Sequence, residues 1–250
     1  MKTVLAAIDE SPAAQPVLAT ALRVADLLGA DAEAVHVREH DGRQALALAE
    51  QNGVILEVLD GPVAPTLLTA FHQPRVVAAV VGARGTSAGR QPAGHTVLEL
   101  VESVRKPVVV VPPDAPGTTG DPIRRLLAPL EGTVESAVPV ATGLAELIDS
   151  EVELVVLHVF TATSVPGALD DPARDLAIWG DEFIARFCPR ADRILLRTGP
   201  VGLRVTDVCR DDDIDLIVLS WSQNVTPGHA EVVRHVLATS AVPVLLLPVE

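Results

Sequence analysis

Several signals that assign a chain to a function class are missing from these 250 residues. Lysine and arginine number 19 against 33 acidic residues, a formal net charge of -14 at pH 7. That balance excludes a protein that tracks a polyphosphate backbone, because the task needs cations to displace counterions, so nucleic acid is not an expected partner. No apolar run approaches the roughly 20 residues needed to cross a bilayer, and no membrane association is expected. The opening MKTVLAAID reaches Asp9 too soon for a secretory leader, which makes the cytoplasm the expected location. Cys188 and Cys209 stand alone without CxxC spacing, and the seven histidines form neither HExxH nor a Cys/His cluster. No metal site is expected, and the thiols read as small buried hydrophobes. Neither a GxGxxG fingerprint nor a lysine-bearing Walker A loop occurs. No nucleophile, base and orienting group stand together, so no catalytic residue is assigned.

What the chain does have is itself, twice. Val4–Asp9 answers to Leu126–Glu131, each an apolar run ending in a carboxylate and followed by a hydroxyl residue, Ser11 or Thr133. Val35-His36-Val37 answers to Leu157-His158-Val159 at the same offset of 122 positions. Gly61-Pro62 then answers to Gly199-Pro200 at an offset of 138, so the second copy carries 16 extra residues before its third strand, about four helical turns. Val76–Gly82 matches Ile214–Ser220, and Lys106–Pro112 matches Val242–Pro248. Matches in the same order in both halves mark an internal repeat.

Each copy alternates short Val/Leu/Ile runs with longer Ala/Leu-rich segments, the α/β pattern of a parallel sheet covered on both faces. The spacing predicts strands near 3–8, 33–38, 54–59, 76–82 and 107–112, joined by helices near 12–29, 43–52, 62–73 and 95–105. In the second copy it predicts strands near 124–129, 152–160, 192–197, 214–220 and 243–248, with helices near 134–149, 170–187, 200–211 and 229–240. Residues 113–122, rich in proline, glycine and hydroxyls, read as a linker between domains at 1–112 and 123–250.

The stretch that carries chemistry runs from Val80 to Val97, between the fourth strand and the helix after it. Glycines there let the backbone approach a ligand and reach positive φ, and the helix start offers unpaired N–H groups, so the segment reads as a phosphate loop. Arg84 and Arg90 either add positive charge for a nucleotide or solubilise the loop. The arrangement resembles the ATP-binding signature of the universal stress protein family: Gly, two residues, Gly, nine residues, Gly, then Ser or Thr and Val. Gly82 and Gly85 match its first two glycines, and Thr96 and Val97 its end. The spacing places His95 where the family has its third glycine, with Gly94 one position early. Either the histidine disturbs binding by adding a side chain and disfavouring positive φ, or the loop slips by one residue so that Gly94 serves. Asp9 matches the family aspartate near the nucleotide, and Val37 the second-strand position whose backbone holds adenine.

The resemblance implies two tandem Rossmann-like (adenine nucleotide alpha hydrolase-like) domains, each a five-stranded parallel sheet with helices on both faces. It implies a stress-response role in which the first domain alone binds ATP or a related adenine nucleotide, with Mg²⁺ where the triphosphate requires it. In the second copy Ser220, Trp221 and Glu231 stand where the cradle should be, and Glu131 replaces Asp9; Trp221 is expected to fill the vacated cleft. The alternatives are a scaffold with both pockets degenerate, and a slow ATPase. Family members commonly pair through their last strands, which would make Val108–Val111 and Val244–Leu247 the facing edges of an internal pseudo-dimer, with a homodimer also open.

Several residues keep a plainer reading. Thr96 and Glu99 form a Thr-x-x-Glu capping box. Asp9 before Ser11-Pro12 reads equally as a turn stabiliser. His36 and His158 read as hydrogen-bonded core histidines, and Asp211–Asp213 as a solvated cap.

Overall fold

The computed structural model describes residues 1–38, 42–83, 93–116, 121–147, 151–160, 172–223 and 230–249. Its N-terminal half runs β1 (Thr3–Ala7), α1 (Ala14–Leu27), β2 (Asp31–Val37), α2 (Arg43–Gln51), β3 (Ile55–Leu59), α3 (Val63–Phe71), β4 (Val76–Gly82), α4 (His95–Ser103) and β5 (Val108–Val111). The C-terminal half repeats the order as β6 (Arg125–Pro129), α5 (Val134–Leu147), β7 (Glu153–Phe160), α6 (Pro172–Phe187), β8 (Arg193–Thr198), α7 (Val201–Asp211), β9 (Leu216–Trp221), α8 (Glu231–Thr239) and β10 (Val244–Pro248). Every boundary that the described residues settle falls within two residues of the expectation; the expected end of α5 at 149 and start of α6 at 170 lie outside them.

Within each half neighbouring strands are parallel, ordered β3-β2-β1-β4-β5 and, in mirror arrangement, β10-β9-β6-β7-β8. The halves meet in one ten-stranded sheet, where β5 and β10 pair antiparallel with Val110 opposite Val244 and Val108 opposite Leu246. Central strands such as β1, β5 and β10 are buried on both faces, which is why they read as unbroken apolar runs instead of alternating ones. One core lies under α3, α4, α7 and α8, and a second under α1, α2, α5 and α6. Both cores contain residues from either side of the β5–β10 seam, so the halves share their buried surface.

The repeat extends to backbone detail. Gly61 (φ 137°) and Gly199 (φ 118°) take the same left-handed-side conformation just before Pro62 and Pro200, the extended N-caps of α3 and α7. A side chain at 61 would also meet Thr66 Oγ1 at 2.7 Å. Glycine therefore ends β3 and β8 because only glycine accepts that turn at low cost.

Polar contacts tie the halves together. Trp221 Nε1 donates to the Val101 carbonyl at 3.2 Å and Gln223 Nε2 to that of Val104 at 2.8 Å, so both satisfy carbonyls at the C-terminal end of α4. Arg23 of α1, 9% exposed, pairs with Asp215 at 2.9 Å and donates from Nε to the Asp121 carbonyl at 2.6 Å. Ala115 and Ile123, between β5 and β6, are buried in the second core, which pins the connecting segment. Among the described residues no helix is long and apolar enough to cross a membrane.

Candidate functional site

A cavity of about 530 Å³ opens at the C-terminal ends of β1, β2 and β4. β1 lies between β2 and β4, and the connections on its two sides run in opposite directions. Such a crossover leaves a crevice that no helix covers, the usual ligand position in open α/β sheets. The volume lies within the range of small-molecule pockets. Asp9, Val37, Gly82, Gly94, His95, Thr96 and Val97 all line it. Arg84 and Gly85, with Arg90, lie outside the described residues.

The first turn of α4 forms one wall. Gly94 is its N-cap, with φ −64° and ψ 156° and no side-chain cap, and Leu98 N–H makes a bond back to the Gly94 carbonyl at 3.1 Å. The amides of His95, Thr96 and Val97 precede that first bond, so they are free of intrahelical acceptors and carry the positive end of the helix dipole. Two expectations change here. Thr96 sits inside the helix and is not its cap, so the Thr96/Glu99 capping box does not form. Neither Gly82, Gly94 nor His95 has positive φ, so a histidine at 95 meets no backbone penalty. Gly94 is instead tied to the end of β4: its N–H donates to the Ala83 carbonyl at 2.8 Å, while Ala83 N–H donates to the Val111 carbonyl at 2.7 Å. Ala83 and Gly94 are thereby fixed at the cavity rim.

Asp9 closes the opposite side. Its Oδ1 accepts from Ser11 N–H at 2.9 Å and Ser11 Oγ at 2.6 Å, so the turn-stabilising reading holds, and the residue is exposed on the cavity lining at the same time. Helix α1 begins later than Ser11-Pro12 suggested, with Ala13 as its N-cap. Glu10 adds a second carboxylate to the lining. Val37 of β2 with Val63 and Leu67 of α3 supply an apolar wall, and α3 packs against α4. The cavity thus combines free N–H groups with apolar surface, a combination that suits a ligand with an anionic group and an apolar body.

His36 is a lining residue that sequence reasoning set aside. Its ring is buried, and Nδ1 lies 3.0 Å from the Ile8 carbonyl. A carbonyl only accepts, so Nδ1 carries the proton. The signal that had pointed to a core role, its apolar strand context, is correct but incomplete.

The corresponding end of the C-terminal half is built differently. His158 Nδ1 makes the same 3.0 Å bond to the Leu130 carbonyl. Around that ring pack Phe160, Trp179 and Phe183, with centroids 4.8 to 4.9 Å away. Phe183 also presses on the turn after β6: a side chain at Gly132 (φ 86°) would come within 2.8 Å of Phe183 Cε2. Residues of α6, in the region lengthened by the insertion, therefore occupy this end. Trp221 does not, since its indole points to α4 across the seam. Burial holds the His158 imidazole below its usual value of 6.5, partly opposed by the Leu130 carbonyl. At the start of α8 stands Glu231, the first residue of that helix as His95 is of α4, so a carboxylate replaces the imidazole at that first turn.

Comparison with known proteins agrees with this geometry. The family model described as "Universal stress protein family" matches residues 122–248. A search of curated proteins gives no match. Among solved structures, a functionally unknown protein from Pseudomonas aeruginosa is similar at 14% identity over 99% of this chain and 92% of its own, with a TM-score of 0.67. A putative universal stress protein from the same species gives 14% identity, coverage of 99% and 93%, and a TM-score of 0.64. A universal stress protein from Archaeoglobus fulgidus gives 13% identity, coverage of 99% and 98%, and a TM-score of 0.62. At these identities the structural likeness speaks for the fold, and the family match for descent; this chain belongs to the universal stress protein family.

Proposed function

We propose that this protein is a regulatory, non-catalytic nucleotide binder of the stress response, in which residues 1–112 hold ATP or a related adenine nucleotide. Residues 123–250, joined through 113–122, then act as a structural partner in an internal pseudo-dimer. The observation that carries this reading is the cavity itself, which brings Asp9, Val37, Gly82, Gly94, His95, Thr96 and Val97 to one place. The α4 amides suit a phosphate group, with Arg84 and Gly85 of the same loop adding charge and close approach. Val37, Val63 and Leu67 suit the base. Support for a single site is the aromatic packing on His158 and the carboxylate of Glu231 in the second half.

A second reading, a scaffold that binds no nucleotide, is favoured by one observation: the described lining holds two carboxylates, Asp9 and Glu10, and no lysine or arginine. Titration calorimetry of the purified protein with ATP, with and without Mg²⁺, separates the two. Heat of binding at submillimolar to millimolar concentration, lost on Gly82→Trp, supports the nucleotide reading. Silence in both the wild type and His95→Gly supports the scaffold. Multiple-turnover phosphate release abolished by Asp9→Ala in a folded protein would instead make it a slow ATPase.

A further inference from the structure

We infer that copies of this protein join head to tail in solution, the β3 edge of one pairing antiparallel with the β8 edge of the next. The inference is independent of the ligand site. β3 and β8 end the ten-stranded sheet, so each keeps one side of its backbone without a strand partner. An open edge is a template for another strand, and proteins ordinarily guard it with lysine, proline or a bulge. β3 has none of these: it reads Ile55-Leu56-Glu57-Val58-Leu59 and pairs with β2 in unbroken register. Ile55 is 73% exposed and Val58 38%. Nor does α3 close over the strand, since a groove of about 350 Å³ lined by Glu57, Leu59, Thr66 and Thr69 lies open between them.

The other edge of the same chain is complementary. β8 also runs without proline or bulge, in unbroken register with β7, and carries arginine at both ends of its apolar run. Arg193 is held by Glu153 and Asp212. Arg197 is exposed and donates only to the Leu196 carbonyl at 3.1 Å, with no carboxylate partner among the described residues. On β3 the nearest cation to Glu57, Arg75, stands 3.9 Å away, and Asp60 just beyond is 77% exposed. Pairing β3 with a second β3 about its centre would set Glu57 against Glu57, and β8 with β8 would set Arg193 against Arg197. Like charges directly opposite are unfavourable, so charge selects β3 with β8.

Sheet geometry permits the same choice. Strands are parallel within each half and antiparallel at the β5–β10 seam, so β3 and β8 point in opposite directions. A second copy laid edge to edge with the same face up therefore brings β3 antiparallel to β8. The faces match as well: Leu59 and Leu195 pack on one core, Leu56 and Ile194 on the other. Facing residues of a strand pair share a face, and the register that sets Glu57 opposite Arg197 also sets Val58 opposite Leu196 and Leu59 opposite Leu195. Such a contact leaves one edge open at each end, so assembly continues beyond two copies.

Sedimentation velocity on the full chain tests this. The weight-average mass should rise above the 26.2 kDa of one chain as concentration goes from about 1 μM to about 500 μM, and fall back in high salt. Glu57→Arg and Arg197→Glu should each weaken association about tenfold, and an equimolar mixture of the two variants should recover it, which also shows that both are folded. The native thiols Cys188 and Cys209 are buried, so introduced cysteines report the register. Glu57→Cys combined with Arg197→Cys should give a ladder of disulfide-linked oligomers on oxidation, and Glu57→Cys alone none. A wild type that keeps the mass of one chain throughout overturns the inference. So does association indifferent to both charge reversals, or a covalent dimer from Glu57→Cys alone, which would mean that β3 meets β3.

Discussion

The two halves of this protein carry the same parts at the ends of their first strands. In each, a strand-end carboxylate, a histidine bonded at 3.0 Å to the carbonyl before it, and a helix N-terminus stand in equivalent places. In the N-terminal half they surround about 530 Å³ of space. In the C-terminal half Phe160, Trp179 and Phe183 pack onto the histidine, and Glu231 opens the helix. The difference teaches that equivalent strand ends can be finished in different ways without loosening a fold. Around His158 the chain packs its own aromatic residues, and after β9 it makes contacts across the seam: Trp221 and Gln223 hold the end of α4 in the other half.

The comparison can be broken most sharply at Phe183, which is 5% exposed. If its ring fills the second crevice, Phe183→Ala should lower unfolding free energy by about 3–5 kcal/mol in urea titrations. A loss below about 1 kcal/mol would mean that the aromatic packing contributes little and that the two crevices are energetically alike. The junction between the halves comes next. Arg23→Ala removes a cation linking α1 to Asp215 and the Asp121 carbonyl, while Asp215 keeps the amides of Arg124 and Arg125. A cost of about 2 kcal/mol is expected, because the carboxylate stays partly satisfied. A value near zero would show that the seam depends on its apolar packing alone.

A smaller effect tests the contact of β9 with α4 across the seam. Trp221→Phe keeps most of the buried ring and deletes the donor to Val101, with an expected cost of about 1 kcal/mol by the same measurement. The smallest effect concerns pH. Because burial lowers the His158 value in the folded state, the unfolded chain takes up the proton first as pH falls through 6.5. Stability should therefore decline from about pH 7 downward and level off below the folded-state value. His158→Asn, which keeps a donor for the Leu130 carbonyl, should flatten that decline in a series of urea midpoints between pH 7.5 and 5.5. An unchanged slope would remove His158 as its source.

Much of this was legible in the residues. Apolar strands buried on both faces announce themselves as unbroken runs, and the repeat doubled each signal, so Val108–Val111 could be read with Val244–Leu247 in hand. The loop between β4 and α4 pointed to the crevice because glycine and helix starts have local sequence signatures. The misreadings share one cause, which is that a side chain's partner is set by tertiary placement. Thr96 looks like a cap until the helix is seen to begin at His95. Trp221 looks like a plug for its own crevice until β10 and β5 bring α4 beside it. Phe183 and Trp179 carry no local mark of where they pack, and His36 and His158 sit in near-identical strands although one lines the cavity and aromatic rings pack on the other.

The β5–β10 seam has a consequence for how the protein responds to dilution. Two separate chains joined by such a seam would come apart as their concentration fell below the dissociation constant. Here the residues between Val111 and Arg125 carry both edges on one polypeptide. Short tethers hold their ends at effective concentrations on the order of millimolar. The pairing of the halves is thus insensitive to how much protein is present, and the geometry around the first crevice should be the same in dilute and in concentrated solution.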